Sequence, residues 1–182
     1  MALLELNTDR LFLRTMNLND AEAIFAYRSD AFENRYQGWI PKKIEDVYDF
    51  INNRITTEVN VANTWHQMVV INRENKKLIG DIGIHFMDEE KKQVELGFTL
   101  DKKCQGNGFA TESVKQVIEY LFNTLNKHRI IGSIDPRNSS SIKLVERLGF
   151  RKEAHFRKSI FIDGEWVDDL IYAMLSEDWI TK

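Results

Sequence analysis

Apolar and polar positions along the chain change their period twice. Near the start, Leu11 and Leu13 alternate with Phe12 and Arg14, a short strand. Asn19 followed three residues later by Glu22 has the form of a capping box with Asn as the cap, and predicts a helix carrying Ile24, Tyr27 and Arg28. Beyond Pro41, Ile44, Val47, Tyr48 and Ile51 fall at i, i+3, i+4 and i+7, one apolar stripe on a second helix. The middle then reads as strands over residues 65–71, 78–86 and 93–100. They are separated by Arg73-Glu74-Asn75-Lys76-Lys77 and Asp88-Glu89-Glu90-Lys91-Lys92, turns short enough to join antiparallel neighbours in a meander. In the third run Val94, Leu96, Phe98 and Leu100 share one face, and Glu95, Gly97 and Thr99 the other.

A helical period returns after the loop Gln105-Gly106-Asn107-Gly108, with Val114, Val117, Ile118 and Leu121 on one stripe. A strand over 129–134, a break at Pro136, a short helix over about 140–148 closed by Gly149 and a strand from Phe150 follow. Asp163-Gly164, between strand-like runs at 156–162 and 166–175, is a hairpin signal. The order of elements predicts an α/β protein, antiparallel first and then with a strand–helix–strand unit.

Composition narrows the classes. The 182 residues are 43% hydrophobic, ample for a core, and neither repeats nor a linker divide them, so one domain over 1–182 is expected. With 25 Lys+Arg against 28 Asp+Glu the net charge is −3, which argues against a nucleic-acid binder. Met68-Val69-Val70-Ile71 is the longest aliphatic or sulfur-containing run, far short of the ~18 residues a membrane span needs. Met1-Ala2-Leu3-Leu4-Glu5 carries neither the basic nor the long apolar region of a secretory signal. Cys104 has no second cysteine for a disulfide, so a reducing, cytoplasmic setting is expected and cysteine-built zinc sites are excluded; no metal site is expected. His66 and His85 lie on strands, where a satisfied histidine is commoner than a catalytic one, and Cys104 reads as a packed thiol.

Chemistry first becomes visible between Leu100 and Thr111, where a strand ends, glycines stand at Gly106 and Gly108, and a helix begins. Such a loop aims backbone N–H groups and a helix dipole at one point, which suits an anion and above all a phosphate. A nucleoside-triphosphate loop would need Gly-Lys-Ser/Thr where the chain has Gly108-Phe109-Ala110. A dinucleotide fingerprint would need a third glycine at Thr111 and an early strand–helix–strand unit. A glycine-rich turn without a ligand is the plain alternative.

The residues of this loop carry a resemblance. Gln105-Gly106-Asn107-Gly108-Phe109-Ala110 is similar to the (Gln/Arg)-x-x-Gly-x-(Gly/Ala) signature of the GNAT superfamily of acetyl-CoA-dependent N-acetyltransferases. Glu95-Leu96-Gly97-Phe98-Thr99-Leu100 resembles its fourth strand, and Asn138-Ser139-Ser140-Ser141 with Glu146-Arg147-Leu148-Gly149-Phe150 resembles its second signature. Thr8-Asp9-Arg10-Leu11-Phe12-Leu13-Arg14 and Asp163-Gly164-Glu165-Trp166-Val167-Asp168-Asp169 are similar to the branch that acetylates ribosomal proteins (Rim-type). The implied architecture is a GNAT fold: a mixed, mostly antiparallel central sheet of about seven strands, splayed in the middle, with helices on both faces.

The resemblance implies a site as well. Backbone N–H groups of Gln105, Gly106, Asn107, Gly108, Phe109 and Ala110 would hold the diphosphate of acetyl-CoA, and Thr111 would also belong to the cofactor site. Phe98, Thr99 and Leu100 would pair with the pantetheine arm where the strand parts from 129–134, and a backbone N–H near Phe98 would polarise the thioester carbonyl. Asn138 would touch the pantetheine, and Ser141 would give a proton to the leaving sulfur; both residues also read as an ordinary turn and helix cap. Lys143 is either a phosphate contact or a solvated lysine. Two departures stand out: Val145 occupies the place of a tyrosine acid found in some members, and Ile160 the place of a glutamate base found in some Rim-type enzymes. Glu95 is then the carboxylate left to act as base, or else a surface partner for a neighbouring cation. A neutral α-amine needs little help, its pKa being ~7.7–8.0 against ~10.4 for lysine, so the missing glutamate leans toward a protein N-terminus, such as that of a ribosomal protein. A small amine (polyamine or aminoglycoside) and a non-catalytic acyl-CoA sensor are the alternatives. Tyr36, Trp39 and Trp65 are either acceptor-pocket or core aromatics, and the acceptor and any homodimer or larger oligomer stay open.

Overall fold

The alternating runs of the middle segment pair into a meander, and the sheet of this computed structural model grows outward from it on both sides. Residues 4–87, 89–90, 92–162 and 164–180 are described. Met1 to Leu3 of the amino-terminal stretch, Asp88 and Lys91 of the second meander turn and Asp163 of the Asp163-Gly164 turn lie outside the described residues. In chain order come β1 (Glu5–Asn7), β2 (Leu11–Thr15), α1 (Ala21–Arg28), α2 (Ile44–Asn53), β3 (Thr64–Asn72), β4 (Leu78–Phe86), β5 (Gln93–Leu100), α3 (Phe109–Glu119), β6 (Arg129–Ile134), α4 (Ser139–Leu148), β7 (Arg151–Ile162), β8 (Glu165–Leu175) and α5 (Ser176–Ile180). Eight strands, rather than about seven, join in the order β1-β2-β3-β4-β5-β6-β8-β7. Every neighbouring pair is antiparallel except β5 and β6. The three-residue β1 was not expected, and the strand from Phe150 and the run at 156–162 merge into β7.

Helices cover both faces. The expected stripe of α3 packs with Leu144, Val145 and Leu148 of α4 under Val94, Leu96, Ile130, Tyr172 and Met174. On the other face Ile24 and Tyr27 of α1 and Val47 of α2 pack on Val69. Of the stripe expected on α2, Tyr48 turns outward and is exposed. The amino-terminal cap also differs from the expected one: Asn17, not Asn19, is the cap, its side chain accepting the Asn19 N–H while Asp20 answers the Asn17 N–H. The reason is a single 3-10 turn, Leu18–Asp20, inserted before α1. Among the described residues no helix is long and apolar enough to cross a membrane.

One polar knot ties α1 to the sheet. The Asp81 carboxylate, fully buried in β4, accepts from Arg28 Nε (2.9 Å) and Nη2 (2.7 Å), from the Tyr27 hydroxyl and from Gln67 Nε2. Arg28 also donates to Thr99 Oγ1 on β5 (2.8 Å) and to the Trp39 carbonyl (3.2 Å). Burial alone would pull the Arg28 guanidinium down, but the facing Asp81 charge holds it above its ordinary value. Burial and the same carboxylate push the Tyr27 phenol well above 10. Removing one member strands the other charge in the core, a loss of about 3–5 kcal/mol. Arg28→Ala and Asp81→Asn should each lower stability by that order in urea unfolding; a change under ~1 kcal/mol would contradict the assignment.

Candidate functional site

Strands β5 and β6 pair at three positions only, Gln93 with Arg129, Val94 with Ile130 and Glu95 with Ile131. Past Glu95 they part, while β5 stays paired to β4 through Leu100 and β6 to β8 through Ile134. The inner edge of β5 is therefore a strand edge without a strand. Side chains take its carbonyls: Gln37 Nε2 reaches Phe98 O (3.5 Å) and Gln105 Nε2 reaches Leu100 O (3.1 Å). Since N–H and C=O of one strand residue point to the same edge, the amides of Phe98 and Leu100 face the gap.

Two cavities occupy it. The larger, about 400 Å³, runs from the glycine loop to α4. The smaller, about 70 Å³, continues between the parted strands to Gly97 and Ser133. They share Tyr36, Gln37, Phe98, Asn138 and Ser141. Charged lining residues of the larger cavity are Glu33, Arg35, Lys102 and Arg147. Lys102 pairs with Glu33 (3.2 Å), so Arg35 and Arg147 leave a positive excess suited to an anion.

The loop at the cavity's outer end is held open by backbone geometry. Gly106 (φ +81°) and Gly108 (φ +79°) adopt left-handed conformations that a side chain disfavours, and Gly108 caps α3, whose first amides have no helical acceptor. Asn107 Nδ2 donates back to the Cys104 (3.3 Å) and Gln105 (3.1 Å) carbonyls. Behind the loop, Arg10 in the β1–β2 turn reaches the Asn107 carbonyl through Nη1 (3.0 Å). Its Nε (2.7 Å) and Nη2 (2.5 Å) meet Glu112 Oε2, its backbone N–H meets Glu112 Oε1 (3.1 Å), and its guanidinium lies 4.7 Å from the Phe109 ring centroid. Burial would raise the Glu112 carboxyl, yet hydrogen bonds from Thr8 and Arg10 bring it below its ordinary 4.5.

The expected site residues divide into groups. Phe98, Thr99, Leu100, Gln105, Gly106, Gly108, Phe109, Ala110, Thr111, Asn138 and Ser141 all line the larger cavity, as does Tyr36. Asn107 belongs to the loop but turns outward. Asn138 is also the cap of α4, its Oδ1 accepting the Ser141 N–H (3.2 Å), so the cap and the cavity wall are the same residues. Lys143 is exposed and outside the lining, because Ser140, Ser141, Leu144 and Arg147 form the inward stripe and Lys143 sits about a quarter-turn off it. Trp39 belongs to the core, stacked on Phe50 (4.2 Å) with Arg28 over its ring. Trp65 stacks on His85 (4.7 Å, 7°), and neither lines the cavities. Glu95 is half-buried on the Gly97 face, with Oε2 3.7 Å from His85 Nδ1. That Nδ1 is, among the described residues, a buried polar atom with no hydrogen bond. His66 is buried and satisfied by Thr15 and Thr56, and burial lowers its pKa. Burial raises the Cys104 thiol, which packs against the core. Sequence reasoning missed Gln37, which is brought in by tertiary packing, and Arg147, whose signal was its place on the Ser140–Leu144 stripe; Arg147 Nη1 also reaches Thr111 Oγ1 (3.3 Å).

A family model described as an acetyltransferase (GNAT) domain matches residues 10–151. The uncharacterized N-acetyltransferase p20 of Bacillus licheniformis is 31% identical over 178 residues, 96% of this chain and 97% of that protein. The ribosomal protein uS5-alanine N-acetyltransferase of Escherichia coli is 28% identical over 183 residues, covering 96% and 92%. Among solved structures, a GNAT-family acetyltransferase from Bacillus anthracis superposes with a TM-score of 0.85 at 29% identity, covering 96% of this chain and 99% of that one. A Vibrio cholerae spermidine N-acetyltransferase in complex with CoA and spermine gives 0.75 at 22% identity, covering 95% and 99%, a likeness of fold.

Two measurements follow from this geometry. Gly108→Val should weaken acetyl-CoA binding at least tenfold by calorimetry, since it strains a φ of +79° and sets a branched side chain against Arg10 Nη2, 3.4 Å from where its Cβ would stand. Tight binding by the folded variant would remove the loop from the cofactor site. Because the Glu112 carboxyl is depressed in the fold, its contribution is full above its ordinary 4.5 and is lost as pH falls through the lowered value. On acidification below 4.5 the wild type should therefore lose more stability than Glu112→Gln; parallel curves would contradict this.

Proposed function

The chain belongs to the GNAT family of acetyltransferases and is an acetyl-CoA-dependent N-acetyltransferase; we propose that its acceptor is the α-amine of a protein N-terminus, acetylated by direct attack while cofactor and amine are held together. The observation that carries the reading is the meeting of the two cavities at Tyr36, Gln37, Phe98, Asn138 and Ser141. In this reading the diphosphate lies at the glycine loop and the pantetheine along the bare edge of β5. The thioester then falls at the shared residues, and the amine arrives over Gly97, where an added Cβ would meet nothing within 4 Å. Holding both reactants together supplies much of the acceleration.

The chemistry divides among few groups. The amine nitrogen attacks the carbonyl carbon, and the negative charge that develops on oxygen is met by the Phe98 amide. The C–S bond then breaks, the nitrogen gives up a proton and the departing thiolate gains one. Ser141 is the assigned donor to sulfur, a modest task because a thiol with a pKa of ~8.5 leaves readily. Glu95, on the face from which the amine comes, is the assigned acceptor of the nitrogen's proton. Ile160 occupies the place of a Rim-type base, and it pairs with Val167 toward the hairpin end. An α-amine suits a site so lightly equipped, since a useful fraction is already neutral near pH 7. The similarity to a ribosomal-protein alanine N-acetyltransferase over 96% of the chain supports the same acceptor class.

A polyamine acceptor is the second reading, favoured by Asp135 on the smaller cavity and Asp169 bonded to Ser133 beside it (2.7 Å). Against it, Trp39 lies beneath a cation and among apolar rings, not within a ring of carboxylates. Thiol release should be fastest with N-terminal peptides, ribosomal-protein sequences first, and slower with polyamines and aminoglycosides, with one added acetyl by mass. The reverse order would make the small amine the acceptor, and acetyl-CoA binding without thiol release from any amine would mark a sensor. Ser141→Ala should lower kcat by roughly a hundredfold while changing acetyl-CoA affinity little. Unaltered turnover of this variant from pH ~6 to ~9, a window spanning the α-amine and thiol pKa values, would take Ser141 out of the mechanism.

A further inference from the structure

Arg10 has no place in the cavity lining, yet it makes more contacts to the glycine loop and α3 than its half-exposed position would require. A peptide unit is planar and trans, so its C=O and the following N–H point in opposite directions. Asn107 O and Gly108 N–H belong to one such unit. Arg10 Nη1 holds Asn107 O at 3.0 Å from the side away from the cavity that Gly108 lines. The same guanidinium therefore fixes the direction in which the Gly108 amide points.

The geometry points to Arg10 as a positioning residue for the cofactor's diphosphate: it anchors the rear of the loop so that the Gly108 amide faces the cleft, and it cancels the Glu112 carboxylate that would otherwise repel the anion. The second action follows from Glu112 standing in the first turn of α3, at the end a diphosphate would approach. Arg10 closes on that carboxylate through Nε and Nη2, and Thr8 Oγ1 adds a further bond (2.5 Å). Arg10 is itself held by the turn. Thr8 Oγ1 accepts the Leu11 N–H (2.8 Å), the Arg10 carbonyl accepts the Arg73 N–H (2.9 Å), and the Thr8 carbonyl accepts from Arg73 Nη1 (2.8 Å). The β3–β4 turn thus braces the β1–β2 turn, and that turn braces the loop. A lysine could not replace the fork, since one ammonium cannot reach the carboxylate and the carbonyl in the same planar geometry.

The inference rests on the glycine loop holding the diphosphate, and the test separates the two. Acetyl-CoA and acetylpantetheine, which lacks the diphosphate, are compared on wild type, Arg10→Ala, Arg10→Lys and Arg10→Ala/Glu112→Gln. For Arg10→Ala the Kd for acetyl-CoA should rise about tenfold or more, with titration stoichiometry intact and kcat at saturation within about threefold. KM for acetylpantetheine should stay within about twofold, and Arg10→Lys should recover part of the affinity. The double variant should bind acetyl-CoA more tightly than Arg10→Ala alone, because the bare carboxylate is gone. Unchanged acetyl-CoA affinity in folded Arg10→Ala, or equal losses with both ligands, would overturn the inference. So would a fall in stoichiometry with Kd unchanged, the mark of a merely unfolded fraction. If Gly108→Val also leaves affinity intact, the loop itself is the wrong site; if Gly108→Val weakens binding and Arg10→Ala does not, only the role of Arg10 fails.

Discussion

Backbone amides and carbonyls removed from water must find partners, and past Glu95 β5 has no neighbouring strand to supply them on its β6 side, where the Phe98 and Leu100 carbonyls turn instead to Gln37 and Gln105. The break is held by the ladders on either side. β5 is committed to β4 as far as Leu100 and β6 to β8 as far as Ile134, so neither strand can turn back to the other. Beneath the gap, Val114, Val145 and Phe150 fill the space from the helical side. An extended, hydrogen-bonding ligand completes such an edge as an added strand would. In the proposed reading, the position of the cofactor is a property of strand pairing before it is a property of any side chain.

The buried knot around Asp81 connects this edge to the acceptor side. Arg28 holds Thr99 on β5, Thr99 Oγ1 donates to Gln37 Oε1 (3.0 Å), and Gln37 Nε2 in turn donates to Phe98 O. The segment after α1 that carries Tyr36, Gln37 and Trp39 is thereby tied to the strand where the thioester is assigned. A charged pair is an expensive way to stabilise a core, and apolar residues of similar volume often serve as well. What an apolar replacement would not supply is direction: Arg28 presents donors at fixed angles to Asp81, Thr99 and the Trp39 carbonyl at once. Specific placement of the cavity wall is the gain that sets this network apart from simple burial.

What the sequence revealed follows from how local each signal is. The meander, the α3 stripe and the Gly149 cap rest on neighbours within a few residues and appear where expected. β1 did not, because three residues of mixed exposure show no period. β7 reads poorly for another reason: two irregularities in its pairing and mostly exposed side chains erase the alternation. The same division runs through the site. The glycine loop and the Asn138–Ser141 cap were legible because each is a contiguous turn, whereas Gln37, Arg10 and the Asp81 knot depend on partners tens of residues away. Lys143 and Arg147 mark the boundary case, where a helical phase known to within one residue decides which cation faces the cavity.

Proton traffic gives the last constraint. Acyl transfer to a neutral amine liberates one proton from nitrogen and consumes one at sulfur, so the two tasks need opposite groups on opposite sides of the carbonyl. Ser141, on the wall shared by both cavities, stands on the α4 side, and Glu95 points to the other face of β5, as its alternation with Leu96 and Phe98 requires. His85 stands next to Glu95 with a buried nitrogen that makes no hydrogen bond among the described residues, its ring stacked on Trp65. A buried, unpaired polar atom of this kind costs about 1–3 kcal/mol, and the nearby Glu95 oxygen, at 3.7 Å, is too far for a hydrogen bond yet close enough to become one with a small rotation. Ser141 gives its backbone N–H to the Asn138 cap of α4, and in the proposed reading its hydroxyl has only to meet a weakly basic thiolate.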